Sequence, residues 1–254
     1  LGVITNANRS LLPSTYRQMI DAAFRSEYVS DLPAGRTGLT QAEANFALYY
    51  GIAVMMYEAQ LVSDNSKWDR FVRGEERLTS QERLGLEIYE GDGRCDQCHQ
   101  GAEFTNASNQ NGGNGSAFAN IGVRPNKEDK GKGRGEFKSP SLRNVALTNP
   151  YFHTGGYLTL KQVVNFYNRG GDFRTRNIDS QVRDLELSNA EEKALVAFML
   201  TLTDDDVRCD ANVFDHPSLP LPGGTDLPAV GVGGLSECWV PALSEGLTDF
   251  HMRD

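Results

Sequence analysis

Cysteine and histidine are both scarce in this chain, with four of each in 254 residues. Cys209 and Cys238 lie far apart and form no second close-spaced pair, which disfavours a zinc site built from all four cysteines. Long apolar runs are missing too. The longest, FALYYGIAVMMY (46–57), is twelve residues between Asn45 and Glu58. A membrane span needs about 20, so the run reads as a buried helix and the chain as not membrane-spanning. Cations are in deficit: 25 Lys and Arg against 34 Asp and Glu give a formal charge of −9. That balance argues against nucleic acid or an anionic membrane surface as partner. The glycine-rich stretch KEDKGKGRGEF (127–137) lacks the Gly-Lys-Ser/Thr ending of a phosphate-cradling loop. There is no internal repeat and no convincing period-2 strand pattern. The chain opens on Leu1 with no signal peptide before it, and is expected to be processed, truncated or a fragment.

What is present is mostly helix. Thr40–Glu43, Thr79–Glu82, Thr159–Gln162 and Ser188–Glu191 each carry the capping-box spacing, a hydroxyl residue followed three positions later by Glu or Gln. Amphipathic runs follow, such as Leu84, Ile88 and Tyr89, or Leu195, Phe198, Met199 and Leu202. Polar, glycine-rich loops separate them, notably 106–122 and 127–137, and the Pro/Gly-rich stretch 216–234 reads as an irregular tail. The length suits one large domain or two modest ones, and the class is mainly α with long loops.

The chemistry lies in GRCDQCHQG (93–101). Cys-x-x-Cys-His is the spacing that attaches a c-type haem. Cys95 and Cys98 would form thioethers to the porphyrin and His99 would ligate the iron. Cys209 and Cys238 then remain, an even number that suits a disulfide in an oxidising compartment. Haem attachment outside the bacterial cytoplasm points the same way, to the periplasm or another exported location. A haem iron has a second axial face, open to Met, His, Tyr or Lys. Met55, Met56 and Met199 read as core residues, and His216 and His251 fall in the tail. His153, in YFHTGG, is the most site-like remaining histidine. On the residues alone, Tyr167 reads as a core aromatic.

The stretch FKSPSLRNVALTNPYFHTGGYLTLKQVVNFYNRGG (137–171) resembles the signature of the bacterial dihaem cytochrome c peroxidase family, which includes MauG. The upstream segment from LVSDNSKWDRF to CDQCHQGAEFTN is similar to the family's entry into its second haem domain. The resemblance covers roughly 11–206 and implies a cytochrome c-like haem domain. It places the second haem's distal ligand on the helix beginning near Thr159, where peroxidases have methionine and MauG-like members tyrosine. The matching residue is Tyr167. The resemblance further implies a calcium ion held by the carbonyls of Thr148 and Pro150 and by an asparagine outside this chain. Arg143 is expected to neutralise a haem propionate or else to salt-bridge its loop. Arg169, Arg174 and Arg176 form a basic patch, read as a solvated face or a docking rim, and Trp68 is expected to pack structurally.

These readings divide the chain into 1–78, closing helices of a first haem domain or inter-domain helices; 79–206, the c-type haem domain; and 207–254, a tail packing back. Only one Cys-x-x-Cys-His is present. A second, peroxide-reacting haem domain would have to come from missing sequence or another chain, with a redox protein or protein substrate as partner. The expected function is an oxidoreductase that stores or relays oxidising equivalents from hydrogen peroxide. The alternative is a mono-haem electron-transfer module without a catalytic site of its own, alone or as part of a larger multihaem assembly.

Overall fold

The computed structural model describes residues 16–29, 31–108, 117–215, 219–220 and 226–227. They fall into two compact units, one from 16–62 with the described residues of 212–227, the other from 63–211. The boundary therefore lies sixteen residues before the one expected at 78, because residues 63–78 pack within the second unit. Among the described residues no helix is long and apolar enough to cross a membrane.

The first unit holds α1 (Tyr16–Ala23), α2 (Gln41–Ala44) and α3 (Phe46–Glu58), with a two-residue antiparallel pair between Leu219–Pro220 and Asp226–Leu227. Thr40 caps α2 in a reciprocal box with Glu43, as expected. The buried-helix expectation for 46–57 is not met. No side chain of α3 is buried, and Leu48, Tyr50, Met55 and Met56 are all more than half exposed. A helix that is apolar on every face needs cover all round. Its contacts include Phe24 edge-on to Tyr49 and the Tyr49 hydroxyl donating to the Tyr28 carbonyl at 2.6 Å.

The second unit is built on α4 (Lys67–Val72), α5 (Ser80–Glu90), α6 (Leu160–Asn168), α7 (Asn189–Leu200) and α8 (Asp205–Arg208). The boxes at Thr79, Thr159 and Ser188 open α5, α6 and α7. A fifth, Ser66 with Asp69, opens α4; it escapes the sequence pattern because aspartate replaces Glu or Gln. Helices α5 and α7 cross in close contact at Gly85, where a Cβ would lie 2.0 Å from the Ala194 carbonyl oxygen. Phe166, Phe198, Leu160 and Leu202 are fully buried between α5, α6 and α7, and Met199 is core as expected. Trp68 joins them as a packing residue, edge-on to Phe104 at 5.9 Å and to Phe198 at 5.5 Å. The buried Asp204 accepts hydrogen bonds from the Ser63 hydroxyl and the Asn65 N–H, which fastens the start of this unit to the entry of α8. Phe118–Ala119 pairs antiparallel with Phe137–Lys138 across the loop between the Cys-x-x-Cys-His stretch and α6.

Candidate haem site

The Cys-x-x-Cys-His stretch leaves α5 through a tight turn. The Gly93 N–H donates to the Ile88 carbonyl at 2.8 Å, and a Cβ on Gly93 would sit 2.7 Å from that oxygen. Arg94 follows in the left-handed region at φ 53°, then a 3₁₀ turn over Cys95–Gln97. The His99 N–H closes it on the Cys95 carbonyl at 2.9 Å. Cys95 and Cys98 are free thiols. Burial first, and the charges of Asp96 and Cys98 second, push the Cys95 thiol up to about 12, and burial raises Cys98 as well. Among the described residues no group of three or more His, Cys, Asp or Glu could hold a metal ion.

The His99 ring is fixed by two carbonyls. Its Nδ1 lies 3.2 Å from the Phe104 oxygen and 3.0 Å from the Pro140 oxygen. Carbonyls only accept, so Nδ1 carries the proton and Nε2 keeps its lone pair. Burial lowers the imidazole's pKa against the opposing pull of those two oxygens, so the ring is neutral at pH 7. The Tyr89 hydroxyl donates to the His99 carbonyl and holds the backbone there.

Tyr167 lies on α6, whose buried Leu160, Val164 and Phe166 fix the helix against the core. Glu192 of α7 accepts from Asn165 and Asn168 at 3.2 and 2.8 Å and pins the same helix from the other side. Phe152 and Phe166 pack on the Tyr167 ring at 6.2 and 5.2 Å. Burial raises its phenol pKa, and Cys95 and Cys98 raise it further, so the structure brings Tyr167 into the electrostatic neighbourhood of both cysteines. Among the described residues its hydroxyl makes no hydrogen bond. A half-buried phenol with no hydrogen bond among the described residues, two thiols at Cys-x-x-Cys spacing and an imidazole presenting Nε2 are a donor set that fits a covalently attached haem with two axial ligands.

Other expected residues go elsewhere. Arg143 forms a bidentate pair with Asp69 at 2.8 and 2.9 Å and donates from Nε to the Ala102 carbonyl at 2.7 Å. Burial alone would raise the Asp69 carboxyl, but Arg143 and Ser66 together hold it below the usual carboxylate range. His153 stacks on Phe137 at 3.7 Å and lines a separate cavity of about 270 Å³ with Asn120, Arg124, Lys127 and Arg134. None of Cys95, Cys98, His99 or Tyr167 lines that cavity, and the buried His153 Nε2 has no partner. Thr148 and Pro150 flank a cis Asn149–Pro150 peptide, where the Thr148 hydroxyl donates to the Val145 carbonyl at 3.1 Å. Cys209 is disulfide-bonded. Its expected partner Cys238 lies outside the described residues, as do His216 and His251. Sequence reasoning missed Tyr89, whose hydroxyl reaches the His99 backbone, and Asp179, whose charge acts on Cys98. Asp179 sits 80 positions beyond the motif, and nothing in its local pattern marks it.

No family model matches the chain. Among curated relatives, the cytochrome-c peroxidase IdrP2 of Denitromonas iodatirespirans is 32% identical over 244 residues, covering 84% of this chain and 63% of the relative. The cytochrome c551 peroxidase of Nitrosomonas europaea is 34% identical over 184 residues, covering 69% and 48%. Methylamine utilization protein MauG of Paracoccus denitrificans is 30% identical over 253 residues, covering 78% and 64%. The chain thus spans about half to two thirds of the length of these relatives. A crystal structure of a MauG-like protein associated with microbial copper homeostasis shares the fold, with a TM-score of 0.55 over 82% of this chain and 73% of that one at 21% identity. The chain belongs to the family of bacterial dihaem cytochrome c peroxidases that includes MauG.

Proposed function

We propose that this chain is the second-haem portion of a periplasmic, MauG-like dihaem oxidoreductase, with one haem c on Cys95 and Cys98 and with His99 and Tyr167 as the axial pair. The observation that supports the reading is the Tyr167 phenol, half-buried between Phe152 and Phe166 on α6, whose hydroxyl makes no hydrogen bond among the described residues and which feels both cysteines. When bound, the haem supplies a one-electron redox centre. The donation of His99 Nδ1–H to two carbonyls orients the ring and makes it a more basic ligand. Tyr167 would bind as phenolate, an anionic, hard donor that favours ferric and higher states over ferrous. Phe152 and Phe166 exclude water from the phenol's flank. A site of this kind stores or relays oxidising equivalents derived from hydrogen peroxide. A second haem domain, from further sequence or another chain, would react with peroxide, and a redox protein or protein substrate would supply electrons. A calcium ion on the Thr148 and Pro150 carbonyls belongs to the same proposal; a chelator that leaves the haem spectrum and activity unchanged removes it.

The test is the optical and EPR spectrum of the haem-loaded Tyr167→Phe protein. Loss of phenolate-to-iron features with altered ferric signals is expected, and an unchanged spectrum takes Tyr167 out of the coordination sphere. If peroxide neither oxidises the complete protein nor supports turnover of an electron donor, the mono-haem relay reading replaces this one.

A further inference from the structure

A second tyrosine stands at the outer end of the rings that pack on Tyr167. The Tyr157 ring lies 4.8 Å from Phe152 and 5.5 Å from Phe166, the same two rings that contact Tyr167 at 6.2 and 5.2 Å. Its hydroxyl donates to Asp172 Oδ2 and accepts from Arg169 Nη2 at 3.2 Å. Arg169 also grips Asp172, with Nε at 2.8 Å and Nη2 at 2.7 Å from Oδ1. The Arg169 and Asp172 side chains are 43% and 30% exposed, so this cluster faces solvent.

We infer that Tyr157, with Asp172 as its proton acceptor, is the exit through which oxidising equivalents leave the haem site for an electron donor outside. The inference rests on the Tyr167 ligation proposed above. A phenol gives up an electron readily only if its proton has somewhere to go, and a base must lie within hydrogen-bond reach. The other hydrogen-bonded tyrosines of this unit fail that condition. Tyr89 donates to the His99 backbone carbonyl and Tyr151 to that of Val145, and neither oxygen can take a proton. Tyr157 alone among the described tyrosines donates to a carboxylate.

Tyr157 passes one electron to the oxidised site through the Phe152 or Phe166 ring and its phenolic proton to Asp172 Oδ2. A neutral tyrosyl radical and a neutral carboxyl remain, the latter still held by Arg169. An outside one-electron donor reduces the radical, and Asp172 returns the proton. The terminal oxidant is hydrogen peroxide, which takes two electrons and two solvent protons to give two waters, so each peroxide draws two single-electron passes through Tyr157.

The test uses the haem-loaded full chain with ring-deuterated tyrosine. It is oxidised with hydrogen peroxide or, where peroxide does not react, with a photogenerated ruthenium(III) polypyridyl, then followed by stopped-flow absorption and freeze-quench EPR. The expected result is a tyrosyl signal that narrows on deuteration and grows as the oxidised haem absorption decays. Tyr157→Phe should abolish the signal and slow the decay; Asp172→Asn should weaken the signal; both should keep the wild-type ferric spectrum. A Tyr157→Phe protein with the full signal and unchanged decay overturns the exit, as does a wild-type protein with no tyrosyl signal. Tyr167→Phe, read by the ferric spectrum alone, reports separately on ligation, so the two failures are distinguishable.

Discussion

The two units of this chain invert what their sequences advertise. The first contains the most hydrophobic stretch, 46–57, yet that helix has no buried side chain and the unit leaves Met19, Tyr28, Leu32, Leu39 and Val62 exposed as well. The second is less apolar along its helices, yet it encloses a contiguous core from Ile88 to Leu202 and all the haem-motif residues. The difference is one of geometry. Helix α7, apolar on most of its surface, is covered by α5 and by α6, and Gly85 lets α5 approach it to backbone contact. In α3 the apolar residues run all round the helix, and no single neighbour can cover them. Burial follows from complementary faces rather than from total hydrophobicity.

Four substitutions break or sharpen that contrast. Phe198→Ala empties the centre of the second unit and should cost about 4 kcal/mol in chemical denaturation, since the ring is fully buried. Removing Arg143 by Ala leaves the nearly buried Asp69 carboxylate unpaired and should cost about 3 kcal/mol at neutral pH. The carboxyl titrates lower in the folded state than its unfolded value of about 3.9, so its contribution is fully present above that pH. It is lost as pH falls through the folded value, so the Arg143→Ala deficit should shrink in acid; a deficit independent of pH would mean the pair contributes through packing alone. Thr79→Ala removes the α5 cap and should cost about 1 kcal/mol, read from the same denaturation curves. Smallest of all, Leu48→Ser on α3 should change stability by less than about 0.5 kcal/mol. A loss comparable to that of Phe198→Ala would show that α3 is buried in the protein as it exists in solution.

Much of the second unit was legible in sequence because its signals are local. Capping boxes are decided within four residues, and the four expected ones all open helices. The fifth was invisible because aspartate stands where the pattern has Glu or Gln, and Asp69 also pairs with Arg143. The acceptor that Arg143 meets in the fold, Asp69, stands 74 positions away, beyond the reach of any local pattern. His153 illustrates the converse. Its flanking aromatics and glycines suggested the axial site, but the chain carries it onto Phe137 and into a different cavity.

The Cys95, Cys98 and His99 spacing and the helix caps were readable from the chain alone, because each is set within a few residues of backbone. Only the tertiary structure decided which distant groups meet. It set Tyr167 beside the two cysteines, locked the His99 proton on Phe104 and Pro140, and brought Tyr157 to Asp172 at the end of a shared aromatic wedge. The physical reason is range. Hydrogen bonds along a turn are fixed by neighbours in the chain, whereas desolvation, charge pairing and ring packing depend on whatever the fold places alongside, regardless of separation in sequence.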